Sequence, residues 1–380
     1  MERQENQRIL MLLYISTKRA LFTFPPAPLC SIVFRIMKVL RIGTRGSPLA
    51  LAQSGLVAAR LERAARAAGL PVEVRLIEIS TLGDRDRKTA LNNFGGAGVF
   101  VKELETALLN NDVDVAVHSL KDMPVKQPRG LIMASVAGRE DVHDALILPA
   151  RNAPKNQQEL VERLTNWPAK AALGCGSPRR RALLSLRFPK LHFVEFRGNV
   201  DTRLRKVAAG EVGGTLLARA GLVRLGHWPV LSGARNLDTK NTPDYLKNLR
   251  AVLLPLNWLP PAPGQGALAL ECRTSDRFAQ KITRLLHDPI AAACVEAERA
   301  CLEGLGGGCH LPLGAFAALS RDGKTLRLRA VLASANERTM ASTALWGDPR
   351  YPKKLGQRAA ARINKLLARI KRAEVRANAR

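Results

Sequence analysis

Aromatic residues are scarce in this chain, at 4% of 380 positions, so a surface that stacks nucleic-acid bases has little to work with. Acidic residues are short as well: 32 Asp and Glu face 60 Lys and Arg, a formal net charge of +28. The excess is uneven, because residues 351–380 carry ten Lys or Arg against one Glu and residues 1–36 carry five against two. The middle is still basic, and such a field attracts nucleic acid, a membrane surface or small polycarboxylates alike. Six cysteines include no C-x-x-C pair, so neither a structural zinc site nor a disulfide framework is indicated, and a reducing cytosol is expected. The apolar run 9–16 is far shorter than the ~20 residues of a membrane span. Glu2 and Glu5 offset Arg3 and Arg8, so the start lacks the net positive charge of a secretory signal. The folded protein is expected to begin near Met37, with residues 1–36 a disordered extension or the product of an upstream mis-start.

What is present suits a compact globular protein of two or three domains: 46% of residues are apolar and no low-complexity tract occurs. Residues 39–42 read as a strand, 49–68 as a helix ending at Gly69, 72–80 as a strand, 100–109 as a helix and 113–117 as a strand. The same grammar returns over 171–174, 177–188, 191–196, 202–209 and 215–218, and strands alternating with helices predict two α/β units with a cleft between them. The segment 255–266, with four prolines and two glycines, reads as a connection back to the first unit. Asp288 and Pro289 start a helix that stops near Glu303. Strands at 315–319 and 325–333 and a basic helix at 352–372 then make a smaller α+β unit.

Six arginines, Arg45, Arg179, Arg180, Arg197, Arg203 and Arg224, stand at or beside ends of expected strands, where loops of an open α/β sheet face a ligand crevice. A guanidinium forks a carboxylate and stays charged, so together they suit a ligand rich in carboxylates, although any one alone reads as a solvated charge. The turns Gly43-Thr44-Arg45-Gly46-Ser47-Pro48 and Gly174-Cys175-Gly176-Ser177-Pro178 nearly repeat each other and offer free N–H groups where helices begin. Each on its own is an ordinary helix cap. In Val117-His118-Ser119-Leu120-Lys121-Asp122-Met123-Pro124 a strand runs into a turn with a cation and a carboxylate. Asp122 there either steadies a cationic intermediate and moves a proton or forms a surface pair with Lys121; His118 is packed or catalytic. Cys309 follows three glycines on a loop from which a thiol can reach a cleft, whereas Cys294 and Cys301, seven apart, share one helix face and read as core.

Taken together, these segments resemble the porphobilinogen deaminase family. The matching stretches are RIGTRGSPLALAQ (41–53), GVFVKELETALL (98–109), VAVHSLKDMPV (115–125), GCGSPRRRALL (174–184), FRGNVDTRL (196–204), LARAGLVRLG (217–226), PAPGQGALALECR (261–273) and ERACLEGLGGGCHLPLGAFA (298–317). The resemblance spans roughly residues 38–320.

It implies two α/β domains of the periplasmic-binding-protein type II kind around a central cleft, plus a smaller C-terminal α+β domain. The implied limits are 37–137 with 255–275, then 138–254, then 276–350, and a basic helix or tail at 351–380. The implied enzyme is a transferase that joins four porphobilinogen molecules head to tail, with loss of ammonia, to give hydroxymethylbilane on a dipyrromethane cofactor. That cofactor is held through a thioether to Cys309. Asp122 matches the catalytic aspartate, which stabilises positive charge at the pyrrole as ammonia leaves and as the C–C bond forms. Lys121, Ser177, Arg179, Arg180, Thr44 and Asp84 match cofactor-binding positions; Arg45, Ser47, Gln53, Arg197, Arg203 and Arg224 match substrate-binding positions. No metal is implied.

Two departures are visible. The loop 88–98, a lid in the family, has Asn93 and Ala97 where lysines are often found, and Cys175 and Gly176 stand where Thr and Ser are usual. A cytoplasmic monomer is expected, with no membrane or nucleic-acid partner, passing its product to uroporphyrinogen-III synthase. The alternative is a non-catalytic binder or sensor of a carboxylated ligand on the same two-lobed fold, which needs neither Asp122 nor Cys309.

Overall fold

The computed structural model describes residues 37–79, 101–234, 240, 242–308, 311–334 and 339–378; the expected extension over 1–36, Asp84, the segment 88–98 and Cys309 lie outside the described residues. The first sheet takes β1 (Lys38–Arg45), β2 (Val72–Ile79), β3 (Val115–Ser119), β4 (Leu131–Arg139) and, from much later in the chain, β10 (Ala267–Arg273), in the order β2-β1-β3-β10-β4. The second takes β5 (Asp144–Pro149), β6 (Leu173–Gly174), β7 (Phe193–Val194), β8 (Gly214–Ala218) and β9 (Leu249–Leu253), in the order β7-β6-β8-β5-β9. In each sheet the first three strands of that order run parallel, and the fourth is antiparallel to both its neighbours. The repeated strand–helix grammar of the sequence is therefore a repeated topology.

Local chemistry explains the helices that edge these sheets. Ser47 caps the helix Pro48–Ala67, its Oγ accepting from the Ala50 N–H at 3.3 Å, and Pro48 fits the first turn because its missing N–H would be unpaired there. Val57, Leu61 and Ala65 recur every four residues and bury against Leu40 and Ile42 of β1. Ser177 repeats the device in the second sheet, its Oγ accepting from the Arg180 N–H at 3.4 Å at the start of the helix Pro178–Arg187.

Two connections join the sheets: 140–143 leads from β4 into β5, and 254–266 leads from β9 into β10. The second passes very close to the turn after β3. Gly264 has φ +77°, and a Cβ there would lie 2.5 Å from Leu120 Cδ2 and 3.3 Å from the Lys121 N; at Gly266, φ +87°, it would collide with the Glu140 carbonyl. Only glycine tolerates both the conformation and the crowding.

A third, antiparallel sheet, β11 (Leu313–Leu319), β12 (Leu326–Ala333) and β13 (Met340–Gly347), carries the helices Pro289–Gly304 and Pro352–Asn378 on one face. Leu326, Leu328 and Ala330 alternate inward from β12 and meet Ala359, Ala360 and Ile363 of the last helix. Cys294 and Cys301 lie in this core, and burial pushes their thiols up to about 11 and about 12. The expected architecture of two α/β sheets with a smaller C-terminal α+β unit is present. Reading the sequence missed β4, β5, β9, β10, β13 and the helices Gln157–Thr165 and Arg277–Arg284.

Candidate active site

A cleft of about 310 Å³ opens where β1, β3 and β8 end, and its wall includes Arg45, Ser47, Gln53, Lys121, Asp122, Arg180, Arg203 and Arg224. Strand ends are where an open α/β sheet presents loops to a ligand. The first turns of the helices Pro48–Ala67 and Val200–Ala208 also reach it, through Pro48, Leu49, Asn199 and Val200, and their dipoles favour an anion there. Eight residues singled out from the sequence thus share one cavity although up to 179 positions separate them in the chain.

The cations of the wall differ in how their charge is compensated. Arg180 donates to the Asp144 carboxylate through Nε at 3.1 Å and Nη2 at 2.6 Å, and through Nη1 to the Leu216 carbonyl at 2.8 Å. Its neighbour Arg179 donates to Asp144 Oδ2 at 2.6 Å and to the Pro260 carbonyl at 2.6 Å, and is absent from the wall. Burial alone would raise the Asp144 carboxyl, but the fields of the two guanidiniums and their hydrogen bonds outweigh it and hold Asp144 far below the usual carboxylate range.

Arg203, Arg224 and Lys121 have no such acid against them: among the described residues none of the three is ion-paired with a carboxylate. Arg203 donates through Nε to the Gly198 carbonyl at 2.8 Å, and Arg224 through Nη2 to the Gly266 carbonyl. Burial lowers the pKa of Arg224 to about 10. Burial, and then the field of Arg180, lower that of Arg203. Lys121 keeps part of its surface open, yet the crowding of protein around its ammonium lowers its pKa against the opposing pull of Asp122. Three partly desolvated cations with no carboxylate in ion-pair contact among the described residues leave positive charge on the wall that a bound anion would compensate.

Asp122 ends the short 3₁₀ turn Leu120–Asp122 and is exposed. Below it Leu120 and Met123 are buried, so the turn is anchored while its carboxylate stays accessible. Gln53, 4% exposed, donates from Nε2 to Ser119 Oγ at 3.0 Å and ties the helix Pro48–Ala67 to the start of this turn. Arg299 of the helix Pro289–Gly304 donates to the carbonyls of Met123 at 3.3 Å, Pro124 at 2.7 Å and Val125 at 3.2 Å. A Cβ on Gly307 would lie 3.9 Å from Val125 Cγ2, so the glycine loop before position 309 abuts the end of the Asp122 turn.

Other expected residues sit elsewhere. Thr44, 1% exposed, accepts from Ser54 Oγ at 2.8 Å and does not line the cleft. Ser177 is occupied as a helix cap. Arg197 is exposed, donates to Glu195 Oε1 at 2.8 Å and is also absent from the wall. His118 is packed, with Nε2 3.0 Å from Glu271 Oε2. The reading overlooked Asp144 and Gln265. Gln265 lines the cleft, 1% exposed, and donates from Nε2 to the Val142 carbonyl at 2.7 Å and to Asp144 Oδ1 at 3.1 Å, bridging the two connections between the sheets. The run PAPGQGALALECR contained the signal: a lone amide between two crowded glycines.

Residues 40–281 match the family model described as porphobilinogen deaminase, dipyromethane cofactor binding domain, and residues 292–365 match that of the porphobilinogen deaminase C-terminal domain. The chain is 41% identical over 318 residues to porphobilinogen deaminase 1 of Streptomyces coelicolor, covering 82% of this chain and 88% of that protein. It is 42% identical over 324 residues to porphobilinogen deaminase of Rubrobacter xylanophilus (85% and 93%) and 40% identical over 321 residues to that of Thermus thermophilus (84% and 93%). Among solved structures it aligns with the VFT2 domain of Bordetella pertussis BvgS at a TM-score of 0.37 and 15% identity, covering 65% of this chain and 86% of that one. An ancestral cationic amino acid solute binding protein aligns at a TM-score of 0.36 and 15% identity, covering 65% and 88%. With two family models spanning its sheets and relatives at about two-fifths identity over most of its length, the chain belongs to the porphobilinogen deaminase family.

Proposed function

We propose that this chain condenses four porphobilinogen molecules head to tail, with loss of ammonia, into hydroxymethylbilane, and that the cleft between its two α/β sheets is where it does so. The observation that carries the reading is the set of Arg203, Arg224 and Lys121, half-buried cations with no carboxylate in ion-pair contact among the described residues, beside the exposed Asp122 in one cavity. A pyrrole with acetate and propionate arms supplies the missing anions. Each ring added brings two more carboxylates, and a cationic wall keeps hold of the lengthening chain.

The donors fit a dipyrromethane group, which carries four carboxylates. Cys309 would hold it by a thioether, with Lys121, Ser177, Arg179, Arg180, Thr44 and Asp84 around it; when bound, it supplies the pyrrole carbon to which the first substrate is joined. Arg179 and Arg180 would act from the positions in which Asp144 fixes them. Arg45, Ser47, Gln53, Arg197, Arg203 and Arg224 would orient the incoming pyrrole, the second and third through the caps and bonds described above. Asp122 places a carboxylate at the pyrrole N–H. It steadies positive charge as ammonia departs from the aminomethyl carbon and again as the new C–C bond forms, and it is placed to assist loss of the ring proton. A Cys309 thiol reaching this point is supported by the nearness of Gly307 to Val125, three residues from Asp122, where an added Cβ would lie 3.9 Å from Val125 Cγ2.

The same reading has domains at 37–137 with 255–275, 138–254 and 276–350, and a cytoplasmic monomer that hands its product to uroporphyrinogen-III synthase. No described helix is long and apolar enough to cross a membrane. The deciding experiment is intact mass spectrometry of the full chain with Cys309→Ser alongside. The parent is expected to carry the mass of two pyrrole units and the variant none. An unmodified parent that consumes no porphobilinogen would leave the binder or sensor as the better account.

A further inference from the structure

The C-terminal helix Pro352–Asn378 has two faces of opposite character. Leu355, Ala359, Ala360 and Ile363 are buried in the core of the third sheet. On the other side Lys354, Arg358, Arg362, Lys365, Arg369 and Arg372 are all exposed. They recur at steps of four, four, three, four and three residues, which at 100° per residue keeps them in one narrow line along ~27 Å of helix.

An ordinary solvated helix face mixes signs, because Glu or Asp three or four residues from Lys or Arg stabilises the helix and like charges at that spacing destabilise it. No Asp or Glu occurs between Tyr351 and Arg372, and none of the six cations pairs with a carboxylate among the described residues. The line therefore repels itself, and a polyanion laid along it removes that repulsion. Arg369 and Arg372 lie beyond residue 365, where the match to the family's C-terminal domain ends. The stripe is thus only partly accounted for by what the family model describes.

We infer that this stripe docks a double-helical nucleic acid through its phosphates, as a binding surface separate from the cleft. A membrane surface fits less well, since a helix that lies in a bilayer interface needs its apolar side for insertion, and here that side is already buried in the protein. Single strands also fit less well: the stripe holds no aromatic residue on which unpaired bases could stack. A duplex offers about one charge per 1.7 Å of axis and asks only for aligned cations, so binding is without base specificity. The scarcity of aromatics, which argues against a nucleic-acid partner in the sequence, bears on base stacking and leaves backbone contact open.

The test uses the full chain and a fluorescent duplex of about 20 base pairs, as DNA and as RNA, followed by anisotropy at several salt concentrations. Binding with a log–log salt slope near about −5 is expected, six phosphate contacts at ~0.9 each. The triple variant Arg358→Glu, Arg362→Glu and Lys365→Glu should weaken binding at low salt by at least about 30-fold and flatten the slope by about 3. A control that removes equal charge from the second lobe, Arg151→Glu, Lys155→Glu and Lys170→Glu, should stay within about threefold of the parent. Unchanged porphobilinogen consumption by both variants shows that they are folded. The inference is overturned if the stripe variant binds like the parent, if both variants weaken equally, or if a single strand binds more tightly than the duplex. It is also overturned if vesicles of phosphatidylserine and phosphatidylcholine capture the chain and the duplex does not compete.

Discussion

Glu271 and His118 meet in the interior of the first sheet, carboxylate Oε2 to imidazole Nε2 at 3.0 Å, with His118 on the strand that leads into the turn carrying Asp122. The other oxygen of Glu271 accepts from Gln127 Nε2 at 3.0 Å, and Gln127 Oε1 accepts from the Met133 N–H at 3.0 Å. One buried carboxylate thus fixes both ends of the segment 119–126. Glu271→Gln keeps an acceptor for Gln127 and a polar partner for His118, so turnover should fall by less than about tenfold. Glu271→Ala strands the buried His118 and the half-buried Gln127, and a loss of about 2–4 kcal/mol in denaturant titration is expected, with kcat falling far more than KM rises. Equal kinetics in the Gln and Ala variants would show that this carboxylate does not position the turn.

Asp144 should contribute the largest carboxylate share to the acid sensitivity of folding in the second lobe. Its carboxyl is held below the ordinary value, so the stabilisation from Arg179 and Arg180 is complete above about pH 4 and is lost as pH falls toward the native value. Asp144→Asn removes the charge at every pH and leaves two buried guanidiniums uncompensated, for about 3–5 kcal/mol at neutral pH. Denaturant midpoints of parent and variant, compared from neutral to acid pH, should therefore differ most at neutral pH and converge below about pH 4. A constant gap across that range would rule out Asp144 as the titrating group.

Asp144 also marks the limit of what the sequence discloses. The cleft-lining positions Arg45, Ser47, Lys121, Asp122, Arg203 and Arg224 were legible because they lie near a strand signal or a helix cap, and strand ends converge in this topology, whereas Gln53, inside a helix, was legible only through the family resemblance. Arg179 and Arg180 were legible as charges but not as partners of an acid 35 and 36 residues earlier, since pairing across a sheet leaves no local trace. The strands β5 and β10 were missed for a related reason. Both are buried on two faces and lack the alternation that betrays a half-exposed strand, and β10 reaches its sheet only after the second sheet has been built. The third sheet was read two strands wide because β13, Met340–Gly347, exposes the large apolar Met340 and Trp346 and buries the small Ala341 and polar Thr343, which blurs the alternation of a half-exposed strand.

Arg224 separates substrate binding from chemistry. Its guanidinium is buried deeply enough to bring its pKa to about 10, with a backbone carbonyl as its recorded partner. An anion from the substrate would return it toward the ordinary range. Arg224→Ala should raise KM at least about tenfold while kcat changes little, whereas Asp122→Asn should leave KM within a few-fold and lower kcat by about 10² or more. Steady-state consumption of porphobilinogen by the two variants decides this. The opposite pattern, kcat lost with Arg224 and KM with Asp122, would exchange their assigned roles.

Glu298 joins the first sheet, the connection between the sheets and the third sheet at one point, and its removal is expected to be severely destabilising. It is fully buried, accepts from Arg139 Nη1 at 2.8 Å and Nη2 at 2.9 Å, and also from the N–H groups of Gly264 at 2.8 Å and Ala317 at 2.7 Å. Those partners belong to the last residue of β4, the connection between the sheets, and β11. Glu298→Ala leaves the Arg139 charge and two backbone donors unsatisfied in the interior, for about 3–5 kcal/mol. The double variant Glu298→Leu, Arg139→Met replaces the ion pair by apolar groups and should recover much of that loss, because the penalty of the single change lies chiefly in the stranded cation. Recovery of midpoint without recovery of turnover is the expected combination. Arg139 also donates through Nε to the Gln265 carbonyl at 3.0 Å, and Gln265 both lines the cleft and touches Asp144, so the pair couples the fold of the third unit to the placement of the site. If the double variant were as unstable as the single one, the backbone donors of Gly264 and Ala317, and not the buried charge, would be the dominant cost.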